Sequence, residues 1–308
     1  MDIHKKAKPF LKWAGGKTQL LSDIELILPK NLTKTEFTYV EPFVGSGAVL
    51  FWMLNNFPHI KKAVINDVNT DLIDTYKTIA HKPKELISIL KLLESEFHSL
   101  EGNEDNKKLY YYEKRFLFNS RTESKINQSA LFIFLNRTCF NGLYRVNQKN
   151  EFNVPIGSYK KPTICDSENI YAVNEALQKV EILNGDFDQT LKHVSPKSLF
   201  YLDPPYKPLS ETSSFNSYAK AEFNDSEQIR LRDFCVQLDQ LGHIWILSNS
   251  DVKMTNKNNT FFDDLYVDFN IQRVEAKRII NANPNKRGKL TELLITNQFS
   301  EGTYVKAI

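Results

Sequence analysis

The 308-residue sequence contains few cysteines and no long hydrophobic segment. Its three cysteines, Cys139, Cys165 and Cys235, lie far apart and show none of the paired spacings of metal sites or disulfide frameworks. We therefore expect free thiols in a reducing compartment and no metal centre. No apolar run approaches the ~18 residues that a membrane span needs, and the first residues lack the apolar core of a signal peptide. These absences predict a cytoplasmic protein that does not associate with a membrane.

Two glycine signatures of nucleotide-binding proteins are incomplete. The turn Gly45–Gly47 lacks the third glycine of the dinucleotide fingerprint, and Gly15-Gly16-Lys17 lacks the spacing of a phosphate-binding P-loop. The sequence therefore does not predict a pyrophosphate site. The net charge of +3 is too small to indicate a polyanionic partner by itself, so the distribution of charge matters more.

The segment Asp203-Pro204-Pro205-Tyr206 is the most informative part of the chain. It follows the apolar run Ser198–Leu202, which predicts a short buried strand. Asp203 then lies at the carboxyl end of a strand, where ligands bind in open α/β sheets. Because two adjacent prolines stiffen the turn and remove two backbone donors, the turn presents acceptor oxygens and an aromatic ring. That set suits a flat ring bearing an amine; the alternative is a Pro-Pro turn with a capping aspartate.

Two further strand ends carry features of a nucleoside site. The segment Thr38–Glu41 predicts a strand that leads into Phe43, the Gly45–Gly47 turn and a helix from Ala48. Another short strand ends at Asp67, which lies 20 residues after Gly47. At this spacing an acid at the end of the second strand reaches the ribose hydroxyls. The alternative is that Asp67 caps the helix that follows it.

Lysines and arginines gather in three places along the chain. The segment Phe10–Lys17 leads through adjacent glycines into a predicted helix, and a helix start of this kind can hold an anion. The segments Arg137–Lys161 and Lys277–Lys289 are basic, and we expect Lys286 and Arg287 to contact phosphates. The alternative for each segment is an ordinary solvated surface.

A region rich in Asn, Arg, Gly and aromatic residues lies in the middle of the chain. The segments Arg145–Asn147 and Phe152–Val154 predict the arms of a hairpin around a turn at 148–150. Arginine and asparagine read base edges in the major groove, and aromatic rings stack on bases. We therefore favour a DNA-reading hairpin over the alternative, a polar loop with its own small core. The serine-rich segment Pro208–Phe223 predicts a flap that closes over a ligand.

Taken together, these motifs resemble those of the Dam-type, D12 class, α-group N6-adenine DNA methyltransferases. The order Phe10–Lys17, Glu41–Gly47, recognition region and Asp203–Tyr206 is the order of that group. The segments 141–147 and 152–157 look like its recognition hairpin, and Pro208–Ser213 is similar to bacterial enzymes that methylate GATC. The resemblance runs from about Phe10 to Asn297.

The resemblance implies the roles of individual residues. Asp203, Pro204, Pro205 and Tyr206 are the expected catalytic segment. The expected contacts to S-adenosyl-L-methionine come from Trp13, Lys17, Phe43, Gly45, Gly47, Asp67, Asp186 and Asp203. The expected DNA contacts come from Lys12, Phe140, Asn141, Leu143, Arg145, Asn147 and Pro155. Among these, Lys12 and Arg145 correspond to guanine contacts, and Phe140 lies where relatives place a tyrosine beside the flipped base.

The fold that the resemblance implies is α/β, a Rossmann-like methyltransferase sheet with an inserted helical and hairpin recognition region. We expect a catalytic domain over 1–75 and 180–308 and an insertion over 76–179. The expected activity is methylation of adenine N6 in double-stranded DNA by a monomer. An N4-cytosine methyltransferase, an RNA or protein-amide methyltransferase and a non-catalytic DNA-binding module stay open. The sequence does not decide whether a restriction endonuclease accompanies the enzyme.

Overall fold

The computed structural model describes residues 5–13, 15–29, 34–208, 223–277 and 289–298. Seven strands of this part of the chain form one sheet in the order β3-β2-β1-β4-β5-β7-β6. The strands are β1 Phe37–Glu41, β2 Ile60–Asp67, β3 Val180–Asn184, β4 Leu199–Leu202, β5 Ile244–Ser250, β6 Asn270–Lys277 and β7 Lys289–Thr296.

Most of the sheet is parallel. The pairs β1–β2, β2–β3, β1–β4 and β4–β5 run parallel, whereas β7 pairs antiparallel with both β5 and β6. The chain leaves β1 for β2 on one side and returns at β4 on the other, so the strand order reverses between β1 and β4. A ligand crevice forms outside the carboxyl ends of strands at such a reversal. The sheet confirms the predicted Rossmann-like α/β fold.

Helices cover both faces of this sheet. Their bounds are α1 Leu21–Ile27, α2 Ala48–Asn56, α3 Thr70–His81, α4 Pro83–Ser99, α5 Glu104–Ser120, α6 Lys125–Thr138, α7 Ser167–Leu177, α8 Asp225–Gln240 and α9 Phe261–Leu265. The helical pattern over 71–100 predicts an interruption at Pro83. It is confirmed, because this proline occupies the first turn of α4, where its missing N–H costs nothing. None of the described helices is long and apolar enough to cross a membrane.

The central strands are apolar on both faces, as expected for parallel strands covered by helices. All four residues of β4 are buried, and so are all five of β1. Val40 and Phe200 belong to a core that they share with α8 and α9, whereas Tyr39 and Tyr201 belong to a larger core that they share with α1 to α7. The short buried strand predicted before Asp203 is therefore confirmed.

Two element ends differ from the sequence-based expectation. The polar segment Glu101–Asn106 predicts a break between helices, but helix α5 begins inside it at Glu104, because the Asn103 side chain accepts a bond from Asn106 N at 3.1 Å and caps it. The segment that starts at Glu181 predicts a strand ending at Asp186, but strand β3 ends at Asn184. Gly185 there has φ of 147°, in the region that favours glycine, and turns the chain.

The helices α4 to α7 lie between β2 and β3 in the chain. Their buried residues, such as Leu90 and Phe134, join Tyr39 and Ile65 of the sheet in one apolar cluster. The region over 76–179 thus shares a core with the strands it interrupts. The division into a catalytic domain and an insertion stays a prediction.

Candidate active site

A cavity of about 670 Å³ opens at the carboxyl ends of β1 and β4. Seven of the eight residues expected to contact the cofactor border it, as do all four residues of the Asp-Pro-Pro-Tyr turn. These bordering residues are Trp13, Lys17, Phe43, Gly45, Asp67, Asp186, Asp203, Pro204, Pro205 and Tyr206. Residues from distant parts of the chain therefore meet at the point where the strand order reverses.

Asp203 is held by two donors at the end of β4. Lys17 Nζ lies 3.0 Å from its Oδ1, and Ser248 Oγ donates to the same oxygen at 2.9 Å. Burial raises the pKa of the Asp203 carboxyl, and both donors oppose that rise because they stabilise the charged form. The carboxylate keeps its second oxygen, Oδ2, as a further acceptor beside the cavity.

The Pro-Pro turn is fixed from beneath by α8 and β5. Gln228 Nε2 donates to the Pro205 carbonyl at 3.2 Å, and Asn249 Nδ2 donates to Gln228 Oε1 at 3.1 Å. The Tyr206 hydroxyl donates to Glu292 Oε2 on β7 at 2.7 Å. Contacts from three other elements thus set the position of the turn and of its aromatic ring.

Asp67 and the glycine turn contact each other at the edge of the cavity. Gly45 N donates to Asp67 Oδ2 at 3.1 Å, and Asn69 N donates to Oδ1 at 2.9 Å. Burial raises the pKa of the Asp67 carboxyl. Asp67 does not cap helix α3, because Asn69 does so by accepting a bond from Leu72 N at 3.1 Å.

Gly47 does not border this cavity. Its φ is 72°, and a Cβ added there would lie 2.5 Å from Tyr76 Oη. Both the left-handed backbone and the close approach require glycine. Gly47 therefore shapes the turn and allows α2 to begin, and the direct cofactor contact that the resemblance implies for it stays a prediction.

Asp186 borders the cavity with its carboxylate already paired. Arg230 Nη1 and Nη2 donate to its two oxygens at 2.9 and 2.7 Å, and Arg230 also reaches Glu227. The hydrogen bond from Arg230 lowers the pKa of the Asp186 carboxyl. The guanidinium lies 4.2 Å from the centre of the Phe187 ring, so the ion pair and this ring form one edge of the cavity.

Comparison with known proteins decides what kind of site this is. A family model described as "D12 class N6 adenine-specific DNA methyltransferase" matches residues 13–280. The chain belongs to this family. It is an adenine-specific DNA methyltransferase, as the order of the motifs predicted.

Relatives of the methyltransferase align over nearly its whole length. The Type II methyltransferase M.MjaIII of Methanocaldococcus jannaschii is 49% identical over 296 residues, which cover 95% of this chain and 99% of the relative. The DNA adenine methylase of Haemophilus influenzae is 37% identical, covering 94% and 93% of the two chains. That of Escherichia coli is 33% identical, covering 94% and 95%.

The hairpin predicted in the methyltransferase is present. Val146 and Phe152 form an antiparallel bridge, and Asn153 N donates to the Arg145 carbonyl at 3.1 Å. Asn147 Oδ1 accepts bonds from Lys149 N and Glu151 N at 3.0 and 2.9 Å, so this side chain closes the turn. The predicted antiparallel arms are therefore confirmed.

The expected guanine-reading residues lie on this hairpin and on the segment that precedes Trp13. Arg145 is exposed, and its Nε donates to Asn153 Oδ1 at 2.7 Å. Lys12 Nζ lies 4.0 Å from the centre of the Tyr159 ring. The backbone N and carbonyl of Lys12 both bond to the Asn136 amide at 2.8 Å.

The other expected DNA contacts differ in exposure. Phe140 is 50% exposed, and Asn141 beside it has φ of 54°. Leu143 is half-buried, whereas Pro155 is exposed and accepts a bond from Phe140 N at 2.8 Å. Lys286 and Arg287 lie outside the described residues, as do positions 209–222 of the expected flap.

Sequence reasoning missed several residues of the site. Glu41 borders the cavity, is 2% exposed and accepts a bond from Tyr39 Oη at 2.7 Å; burial raises the pKa of its carboxyl well above its ordinary range. Glu41 precedes Pro42 at a strand end, as Asp203 precedes Pro204. This repeated pattern could have identified Glu41 from the sequence. No local sequence pattern around Ser248, Glu292 or Arg230 indicated that these residues belong to the site. Within the described ranges, no cluster of His, Cys, Asp or Glu could hold a metal ion.

Proposed function

We propose that this methyltransferase transfers a methyl group from S-adenosyl-L-methionine to N6 of adenine in double-stranded GATC sites, after flipping the base out of the duplex. The observation that carries the proposal is one cavity bordered by both Asp67 and Asp203. The former suits a ribose and the latter an exocyclic amine, so donor and acceptor meet in one space.

The cavity fits the proposed cofactor in size and chemistry. Its volume of about 670 Å³ lies within the range of small-molecule sites, and its lining combines aromatic rings with carboxylates at separate positions. Both Asp67 oxygens keep a lone pair for a ribose diol besides the backbone bonds they accept. Phe43, Phe187 and Asp186 would hold the adenosine ring, and Trp13 and Lys17 would lie toward the methionine part.

S-adenosyl-L-methionine, when bound, supplies an electrophilic methyl group on a sulfonium. The chain's own residues prepare the amine. The adenine lone pair is delocalised into its ring, so the amine is a poor nucleophile. Asp203 and the Pro204 carbonyl would accept hydrogen bonds from its two N–H groups, which favours a tetrahedral nitrogen with its lone pair directed at the methyl group. After transfer the nitrogen would release one of these protons to the Asp203 carboxylate. Tyr206 stacks on the flipped base, whose extrusion costs a few kcal/mol. This is catalysis by positioning and electrostatics, without a covalent intermediate.

The hairpin and Lys12 would read the sequence. Arg145 and Lys12 supply donors for guanine edges, and Leu143 and Pro155 supply apolar contacts for a thymine methyl group. Phe140 would take the position of the flipped base or stack beside it. The choice of GATC rests on the resemblance of segments 141–147 and 152–157 to the recognition hairpin of Dam-type enzymes.

The function is tested by incubating the purified protein with S-adenosyl-L-methionine and a duplex that holds one GATC. Nucleoside mass spectrometry should find N6-methyladenine, and a matched duplex with GTTC in its place should remain unmethylated. N4-methylcytosine as the product would contradict the adenine assignment. Equal methylation of both duplexes would contradict the GATC assignment alone.

Replacing Asp67 with alanine should weaken cofactor binding. A charge-assisted hydrogen bond is worth about 1.5–3 kcal/mol, so the dissociation constant of S-adenosyl-L-methionine should rise by about 10- to 150-fold. Calorimetry without DNA measures this. Asp74→Ala is the control, because Asp74 lies on α3 and pairs with Lys125 away from the cavity. Unchanged affinity in Asp67→Ala would place the ribose elsewhere.

A further inference from the structure

Tyr144 lies between Leu143 and Arg145 on the hairpin, but its side chain faces the protein interior. Its ring stacks on Trp13 at a centroid distance of 5.6 Å and an interplanar angle of 17°. On its other sides it packs against Phe132 at 5.4 Å and Phe152 at 6.0 Å. A residue flanked by two expected DNA contacts is thus in direct contact with a residue that borders the cofactor cavity.

The contact continues from Trp13 into the glycine turn. A Cβ built on Gly45 would lie 3.1 Å from Trp13 Nε1, so the indole rests directly against this turn. Gly45 N in turn donates to Asp67. Tyr144, Trp13, Gly45 and Asp67 therefore form an unbroken series of contacts from the hairpin to the expected ribose site.

The Tyr144 hydroxyl makes a second connection to the same cavity. It donates to Asp71 Oδ2 at 3.2 Å in the first turn of α3, whose capping residue Asn69 borders the cavity. The Asp71 carboxylate also forms an ion pair with Arg121, which balances its negative charge. Both the ring and the hydroxyl of Tyr144 thus contact segments that form the cofactor cavity.

We propose that Tyr144 couples DNA binding on the hairpin to cofactor binding in the cavity, so that each ligand tightens the binding of the other. The inference rests on the proposed function. Interiors are close-packed, so a shift of the hairpin must move the stacked indole. Binding of the first ligand costs conformational entropy because it immobilises the Tyr144–Trp13 ring pair. The second ligand does not have to order these rings again and therefore binds more tightly, which is positive cooperativity. Tyr144 is a positioning residue and touches neither the methyl group nor the base.

The coupling is measured with sinefungin, a cofactor analogue that transfers no methyl group. Its dissociation constant is determined by calorimetry alone and with saturating GATC duplex. In the wild-type protein we expect the duplex to tighten sinefungin by about fivefold or more, the usual range of such couplings. In Tyr144→Leu the ratio of the two dissociation constants, without and with duplex, should fall to near one. Tyr144→Phe keeps the ring and should retain most of the wild-type ratio.

Tyr110→Leu is the matched control. Tyr110 is also half-buried, packs against Phe134 of α6 at 5.7 Å and donates its hydroxyl to Glu96 of α4, and it does not border the cavity. Loss of a packed ring should lower the melting temperature of both leucine variants. If the coupling belongs to Tyr144, the ratio of sinefungin dissociation constants without and with duplex should fall in Tyr144→Leu and keep its wild-type value in Tyr110→Leu. If Tyr144→Leu does not fold, Tyr144→Met fills the space without a ring and should show the same loss.

Two results would overturn the coupling and one would overturn the function beneath it. A wild-type ratio of one, or an unchanged ratio in folded Tyr144→Leu or Tyr144→Met, contradicts the role of Tyr144 while both ligands still bind. Thermodynamic linkage requires that sinefungin tighten the duplex by the same factor in the wild-type protein, which provides a second measurement. Failure of sinefungin to bind the wild-type protein at all contradicts the proposed function itself.

Discussion

Replacing Asp203 with alanine should lower the turnover number for methyl transfer by about 10²–10³-fold, the usual effect of removing one electrostatic contact to a transition state. The carboxylate is oriented before substrate arrives, because Lys17 and Ser248 fix it. It acts mainly as the amine becomes tetrahedral, so its loss should lower turnover far more than it weakens binding of cofactor or duplex. Single-turnover methylation with both ligands saturating measures this.

The control for this variant must address stability. Lys17 is 6% exposed, and alanine at position 203 leaves its ammonium without the carboxylate, a costly arrangement in the interior. Asp203→Asn keeps the shape and an acceptor for Ser248, and should also be strongly impaired because it lacks the negative charge. Thermal melting and circular dichroism establish that each variant is folded. A folded variant with near-normal turnover would remove Asp203 from the mechanism.

Replacing Arg145 with alanine should change which sequences are methylated. A guanidinium that bonds both acceptors of a guanine discriminates by ~1–3 kcal/mol, which is about 5- to 150-fold. Arg145 is exposed, and Asn153 orients it through the bond from Nε at 2.7 Å. The variant should therefore lose its preference for guanine at one pair of GATC. Methylation of a panel of duplexes, each with one substituted pair, measures the change.

Lys149→Ala is the matched control on the same hairpin. Lys149 is exposed in the turn of the hairpin, and we expect it to contact phosphates, so its loss should affect every duplex alike and reduce the salt dependence of binding. Adenine should still be methylated in the altered sites by Arg145→Ala, because we propose that Asp203–Tyr206, and not Arg145, form its pocket. If Arg145→Ala loses activity equally on all duplexes, the residue is a phosphate contact or a structural element.

Local pattern predicted the parts of the fold that local forces decide. The apolar run before Asp203 and the proline at position 83 each determine backbone geometry within a few residues, and both expectations were confirmed. That Asp67 and Asp203 share one edge followed from a further rule, that parallel strands end at the same edge of a sheet, whereas the other cofactor contacts were assigned by the resemblance. The contact expected from Gly47 is one of these and stays a prediction.

The residues that were missed depend on contacts between distant segments. Ser248 and Glu292 act on Asp203 and Tyr206 only because β5 lies beside β4 and β7 beside β5. The inward direction of Tyr144 depends on the space that Phe132 and Trp13 leave in the folded protein. Neither spacing nor residue type near these positions carries that information.

The position of β7 also bears on how the protein is made. This strand inserts antiparallel between β5 and β6, and it carries the Glu292 carboxylate that receives the Tyr206 hydroxyl bond. During synthesis the ribosome releases the proposed catalytic turn 86 residues before that partner. A nascent chain therefore has β4 and its turn long before the strand that completes their surroundings. Because pairing of distant segments is slow, we expect the contact between Tyr206 and Glu292 to be among the last to form.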